Sequence, residues 1–190
     1  MYINYKGHRI FAFSDTHGMH RRMSIPADAD ILVCAGDGTS DFSKDNMADF
    51  LEWYSSVPAR LRIFIAGNHE IIFNFYPQAA RVLVPGNIVY LEDDGCIYQD
   101  ISFYSVSMKA LQTGNAPRIP GDTDFLITHF PPEDILDDGR GSGLLKEMVA
   151  ERRPRYHLFG HVHTQGGMQT ESGGTTFCNV SYFMELKNMR

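Results

Sequence analysis

The chain has 190 residues, 43% of them hydrophobic, with 17 Lys plus Arg against 23 Asp plus Glu for a formal net charge of −6. That length can bury a real core and fits one domain over residues 1–190, while the acidic balance argues against a nucleic-acid polymer or an anionic membrane surface as partner. No apolar run approaches the ~18 residues of a membrane span, the N-terminus lacks a signal-type apolar region, and Cys34, Cys96 and Cys178 are scattered, so a reducing, cytoplasmic location is expected.

"RIFAF" (9–13), "DILVCA" (30–35) and "RLRIFIA" (60–66) read as strands, the first two buried on both faces because their apolar runs are unbroken. "SKDNMADFLEWYSSV" (43–57) has helical spacing, with Met47, Phe50, Leu51 and Tyr54 on one side and Ser43 as its cap. Residues 88–106 predict strands joined by a turn at Asp94-Gly95 and a further bend near Asp100. "DTDFLITH" (122–129) and "YHLFGH" (156–161) repeat the strand pattern. Between them, "GLLKEMVAERR" (143–153) is a second helix stopped by Pro154. "TTFCNVSYFMEL" near the end adds one or two more strands. This order fits a mixed-sheet sandwich with helices outside.

The ends of the five strongest apolar runs carry the chemistry. They deliver Asp15-Thr16-His17-Gly18, Gly36-Asp37-Gly38, Gly67-Asn68-His69-Glu70, His129 before Phe130-Pro131-Pro132, and Gly160-His161-Val162-His163. Alternate residues of a strand share a face, so His161 and His163 can point the same way. An isolated H-x-H is usually two unrelated loop histidines. Here five of the chain's eight histidines sit just past apolar runs, beside two aspartates and an asparagine, which indicates one shared site. Imidazole, carboxylate and amide donors without thiolate suit Mn²⁺, Fe, Zn²⁺ or Mg²⁺. Seven donors are too many for one ion but fit two that share a carboxylate. Two ions ~3.5–4 Å apart clamp a phosphate, acidify a bridging water and steady both the attacking and leaving oxygens.

In these segments the sequence resembles the calcineurin-like metallophosphoesterase superfamily, whose pattern D-x-H, G-D, G-N-H-[DE], H and G-H-x-H occurs here complete and in order. The resemblance implies a mixed α/β (α+β) fold, a four-layer sandwich of two mixed β-sheets flanked by helices. It also implies two divalent ions, Mn²⁺ foremost, with Asp15, His17 and His163 on one, Asn68, His129 and His161 on the other, and Asp37 bridging them. His69 becomes the catalytic imidazole beside the leaving group, and a metal-bridging hydroxide the nucleophile. "FLEWYSSVPARLRIFIAGNHE", "THFPPEDILD" and "RYHLFGHVH" are similar to the small metallophosphoesterase-domain-containing subfamily, some members of which hydrolyse cyclic nucleotides or bind nucleoside monophosphates. A small phosphate ester, a cyclic nucleotide or similar diester, is therefore the expected substrate. Phosphoprotein phosphatases carry an arginine before G-N-H-E where this chain has Ala66, and G-D-x-V-D-R-G where it has "GDGTSDF". A phosphomonoesterase and a non-catalytic nucleotide-binding or scaffold protein on the same fold are the alternatives; scaffolds lose ligands or the catalytic imidazole, and this chain keeps them.

Outside the motifs the bland reading leads. His8 and His157 are expected at the surface or in satisfied core positions, and His20 either supports the site or covers the first helix. Arg140, in "DDGRGSG", is a surface-loop residue that could also meet an anion. Glu70 either orients a neighbour or makes a structural hydrogen bond; Cys34, Cys178 and Trp53 pack.

Overall fold

The computed structural model describes residues 1–41 and 43–189. It opens with a hairpin that the sequence did not announce. β1 (Tyr2–Tyr5) turns at Lys6 and Gly7, both at positive φ, and pairs antiparallel with β2 (His8–Phe13). β3 (Ile31–Cys34), β4 (Leu61–Phe64) and β5 (Val89–Tyr90) then add in parallel, giving a five-stranded sheet in chain order. Three helices belong to this half: α1 (Lys44–Ser56), α2 (Ile71–Phe75) and α3 (Pro77–Leu83).

The second half contributes β6 (Gly95–Tyr98), β7 (Ile101–Ser105), α4 (Met108–Thr113), β8 (Phe125–Ile127), α5 (Gly143–Arg152), β9 (Tyr156–Phe159), β10 (Gln169–Ser172), β11 (Thr175–Asn179) and α6 (Phe183–Asn188). Its six strands are ordered β10-β11-β9-β8-β7-β6, with antiparallel pairs at the two edges and parallel pairs between.

Alternation along the strands divides the core. Ile10, Ala12, Ile31, Val33 and Ile63 face Ile101, Phe103, Phe125, Ile127 and Leu158 across the sandwich. Their neighbours Phe11, Phe13, Leu32, Cys34 and Phe64 turn outward to meet Met47, Phe50, Leu51 and Tyr54 of α1. On the far side, Leu126, Phe159 and Phe177 meet Leu145 and Val149 of α5 and Ala110 of α4. The result is the expected four layers, helix, sheet, sheet, helix. Ser43 caps α1 as the sequence predicts, and Ser142 caps α5 in the same way. Ser43 Oγ accepts from Asn46 N at 3.4 Å, and Ser142 Oγ from Leu145 N at 3.2 Å. α5 ends where Arg153 takes a φ of 51°, just before Pro154. No helix among the described residues is long and apolar enough to cross a membrane.

Two expectations change. The Asp94-Gly95 turn does not join a hairpin, because β5 closes the first sheet and β6 opens the second. Asp93, at a φ of 57°, accepts from both the backbone N–H and the hydroxyl of Ser107, which fixes the crossing; the hairpin bend lies instead at Gln99 and Asp100. The C-terminal run supplies one strand, β11, and then a helix. Asn179 Oδ1 accepts from Ser181 N at 3.0 Å, Tyr182 N donates to Ser14 O at 3.0 Å, and the chain leaves the sheet into α6.

The histidines outside the motifs are structural. His8 bonds Gln99 Oε1 at 3.0 Å, and His20 lies against Trp53 with Nε2 3.0 Å from Asp49, covering α1. His157 is fully buried. Thr128 Oγ1 donates to Phe130 O at 2.6 Å, so His157 Nε2–H donates to Thr128 at 2.8 Å and the ring stays neutral. Burial drives its pKa down to about 3. Since the folded value lies below the ordinary 6.5, the unfolded chain takes up this proton first. The associated stability is complete above pH ~6.5 and is lost as pH falls toward 3. From neutrality to pH 4, this group should cost about 3 kcal/mol. Urea unfolding of His157→Leu should therefore show a correspondingly flatter acid limb than wild type; identical limbs would contradict the assignment.

Candidate metal centre

β2, β3 and β4 run parallel in one sheet, β8 and β9 in the other, and the loops that follow them converge at one edge of the sandwich. The backbone there is unusual. Asp15 (φ 55°), His17 (44°), Asp37 (55°) and His161 (66°) all hold left-handed conformations, a cost of about 1 kcal/mol or more for each non-glycine residue. Neighbouring chain imposes them. Asp15 N, His17 N and Gly18 N donate to Gly36 O, Asp37 O and Gly38 O at 2.9–3.1 Å, so the first motif runs alongside the second. No local sequence pattern marks these four conformations, since all four are non-glycine residues. Two glycines are required by close approach: a Cβ on Gly67 would strike the Asp37 carboxylate, and one on Gly160 would strike Ser14 Oγ and the Asp15 carboxylate.

All eight residues expected at the site are brought together. His163 Nε2 lies 3.4 Å from Asp15 Oδ1 and 3.1 Å from His17 Nε2, and His17 Nε2 is 3.9 Å from the same Asp15 oxygen. On the other side, Asn68 Oδ1 receives His161 Nδ1 at 2.9 Å and His129 Nε2 at 3.0 Å. Asp37 Oδ2 stands between these groups, 3.2 Å from His129 Nε2, 4.0 Å from His17 Nε2 and 3.9 Å from His69 Nε2. Among the described residues, three overlapping sets have their donor atoms within 4.8 Å of one another: Asp15, His17 and His163; His17, Asp37 and His69; and Asp15, Asp37 and His129. Nitrogen and oxygen donors on buried carboxylates, clear of any thiol, fit hard or borderline divalent cations.

His69 is oriented differently. Its N–H donates to Asp37 Oδ1 at 2.9 Å, its Nδ1 lies 3.1 Å from Ser40 O, and its side chain is 32% exposed. Nδ1–H donation to that carbonyl leaves Nε2 on the side of Asp37 and His17.

The charges are organised for a cation. Burial would raise the Asp15 and Asp37 pKa values, but the hydrogen bond from His163 to Asp15 and the charge of His129 beside Asp37 hold both carboxyls below the usual range. Burial pulls His129 down, yet the Asp37 carboxylate outweighs it and lifts the imidazole to about 10. His161 is pushed down to about 4 by burial and by His129. The carboxylates thus favour a protonated imidazole at His129, and a divalent ion held by these residues would take that proton's place.

Glu70 resolves both ways. It is buried, and its carboxylate accepts from Gly67 N at 2.7 Å, Asp37 N at 2.8 Å and Thr39 N at 3.3 Å, tying the loop after β4 to the loop after β3. Burial and the charge of Asp37 raise its pKa to about 7. Two aromatic side chains also border the site. Phe183 of α6 packs its ring 4.2 Å from that of His163 and 5.2 Å from that of His17, while Phe130 lies 4.3 Å from His161. Phe130 directly follows His129 and could have been suspected; Phe183, from a run read as strand, could not.

Residues 8–165 match the profile described as calcineurin-like phosphoesterase. UPF0046 protein K07C11.7 of Caenorhabditis elegans is 31% identical over 202 residues, covering 91% of this chain and 69% of its own. Metallophosphoesterase domain-containing protein 1 of Homo sapiens is 29% identical over 215 residues, covering 91% of this chain and 65% of its own, so this chain spans about two thirds of these curated relatives. Among solved structures, phosphopantetheinyl hydrolase from Mycobacterium tuberculosis is similar in fold, with a TM-score of 0.70 at 13% identity over 95% of this chain and 92% of that one. A match over residues 8–165 covers most of the chain and shows where it belongs: it is a member of the calcineurin-like phosphoesterase family.

Proposed function

We propose that this chain is a two-metal-dependent phosphoesterase that cleaves a small phosphodiester, a cyclic nucleotide or a similar ester. The family uses divalent metals, and the residues present fit them. Asp15, His17 and His163 would hold one ion, Asn68, His129 and His161 the other, with Asp37 shared. The observation that carries this reading is the position of Asp37, whose Oδ2 lies 3.2 Å from His129 Nε2 and 4.0 Å from His17 Nε2, between the two donor groups. When bound, such ions neutralise phosphate oxygens and acidify water. Mn²⁺ is the metal we expect first.

The chain's own residues do the rest. Glu70 fixes the backbone of Asp37, and Ser40 O fixes the ring of His69. A proton held at His69 Nε2 can pass to the departing oxygen of the ester. Ala66 occupies the place of a phosphatase-type arginine, which favours a diester with its single negative charge over a monoester dianion. All three cysteines are free, and a reducing, cytoplasmic location is the one we expect.

The test compares kcat/KM for bis(nitrophenyl) phosphate and nitrophenyl phosphate in Mn²⁺. A diester preference of about tenfold or more, some 1.4 kcal/mol in the barrier, is expected. A monoester preference would replace the diesterase reading with a monoesterase. Bound ions with no turnover of either ester would point to a scaffold.

A further inference from the structure

Three imidazoles at the centre are steered by a backbone carbonyl. His17 Nδ1 lies 3.2 Å from Thr39 O, His69 Nδ1 3.1 Å from Ser40 O and His129 Nδ1 2.8 Å from Ala35 O. A bond of this kind fixes which nitrogen carries the proton and aims the other nitrogen at its target. His161 is turned the other way, with Nδ1 on Asn68 Oδ1 at 2.9 Å. His163 differs from all of them. Its Nε2 meets His17 and Asp15, but among the described residues its Nδ1 has no hydrogen-bond partner.

What lies against His163 is Phe183. The two ring centroids are 4.2 Å apart and the planes are tilted by 34°, so the rings overlap face on face. The same phenyl ring meets His17 edge-on, at 5.2 Å and 86°. Phe183 is itself held in place. Tyr182 N donates to Ser14 O at 3.0 Å, Leu186 of the same helix is fully buried, and Lys187 Nζ stands 5.6 Å over the Phe183 ring. Ser14 directly precedes Asp15, so the ring is tied to the strand end that carries Asp15 and His17. Among the described residues, Phe183 makes no ring contact with His129 or His161.

We propose that Phe183 is a positioning residue for the ion of Asp15, His17 and His163, its ring doing for His163 what a carbonyl does for His17 and His129. This rests on the two-metal reading and deepens it, because it makes one ion depend on α6 and the other not. Without the phenyl face, the His163 side chain, 29% exposed, keeps only its Nε2 contacts. Binding the ion must then also order that ring, and the lost rotamer freedom counts against affinity. His129 keeps its carbonyl and His161 its amide, so the second ion is spared.

The test is Mn²⁺ binding by equilibrium dialysis, with electron paramagnetic resonance and far-ultraviolet spectra, for wild type, F183A, F183L and F183Y. Wild type should hold two ions that give one exchange-coupled signal. F183A should bind one ion about 10–100-fold less tightly and the other as wild type does, leaving an uncoupled signal at a Mn²⁺ concentration that fills both wild-type sites. F183L keeps apolar bulk under the helix without a flat face, and should show the same selective loss whether or not F183A folds. F183Y keeps the ring and should keep both ions. H163A identifies the ion concerned: it should lose one ion, and adding F183L to it should cost the remaining ion nothing. Wild-type affinity for both ions in F183L, or equal weakening of the two, removes the assignment of Phe183 and leaves the two-metal reading standing. A wild-type protein that binds fewer than two ions overturns the two-metal reading itself.

Discussion

Asp37→Asn is expected to strip the protein of most of its metal. The carboxylate lies between the two donor groups, so neutralising it weakens both sites together, by more than the roughly 10–100-fold seen when a group that merely supports a metal ligand is removed. Without metal, Asp37 is also the main source of the raised His129 pKa, so its loss returns that imidazole to the neutral form favoured by burial. The fold itself should survive, because the amide can still accept from His69 N through its oxygen. Metal content after Mn²⁺ loading and desalting, read beside the far-ultraviolet spectrum, checks this. A folded variant that retains two ions per chain and full turnover would remove Asp37 from the bridging position.

His69→Asn is expected to lower kcat by about 10²–10⁴ for an ester with a poor leaving group, while metal content stays at the wild-type level. The two halves of that result answer different questions. Geometry leaves His69 close enough to act as a ligand, since its donor atom falls in one set with His17 and Asp37. The bond between its Nδ1 and Ser40 O, and its partial exposure, point instead to proton delivery. Loss of metal in the variant would make it a ligand. The kcat deficit should shrink for a nitrophenolate leaving group, which departs with little need of a proton. An equal deficit for good and poor leaving groups would assign His69 to charge stabilisation instead.

What could be read from the sequence was whatever repeats in a local pattern. Unbroken apolar runs marked β2 and β3, helical spacing with Ser43 marked α1, and polar residues crowded at strand ends marked the centre. Elements without a periodic signal went unseen. β10 is exposed at all four positions, and its pairing comes only from β11; α4 is a single short helix started by Ser107 and closed by Gly114. α6 is not legible locally because Phe183, Met184 and Leu186 suit a strand as well as a helix, and the choice is made by distant backbone, where Tyr182 N meets Ser14 O. The same limit holds within the site. Residue types at strand ends were legible, but the left-handed backbone of Asp15, His17, Asp37 and His161, the bracing of two loops by Glu70 and the packing of Phe183 on His17 and His163 are products of segments meeting across the fold.

Anomalous diffraction from crystals grown with Mn²⁺ tests the two-metal centre most directly. The expected map has two peaks ~3.5–4 Å apart. One should lie within reach of Asp15, His17 and His163, the other within reach of Asn68, His129 and His161, and both should touch the Asp37 carboxylate. A single peak, or two peaks that do not share Asp37, would contradict it.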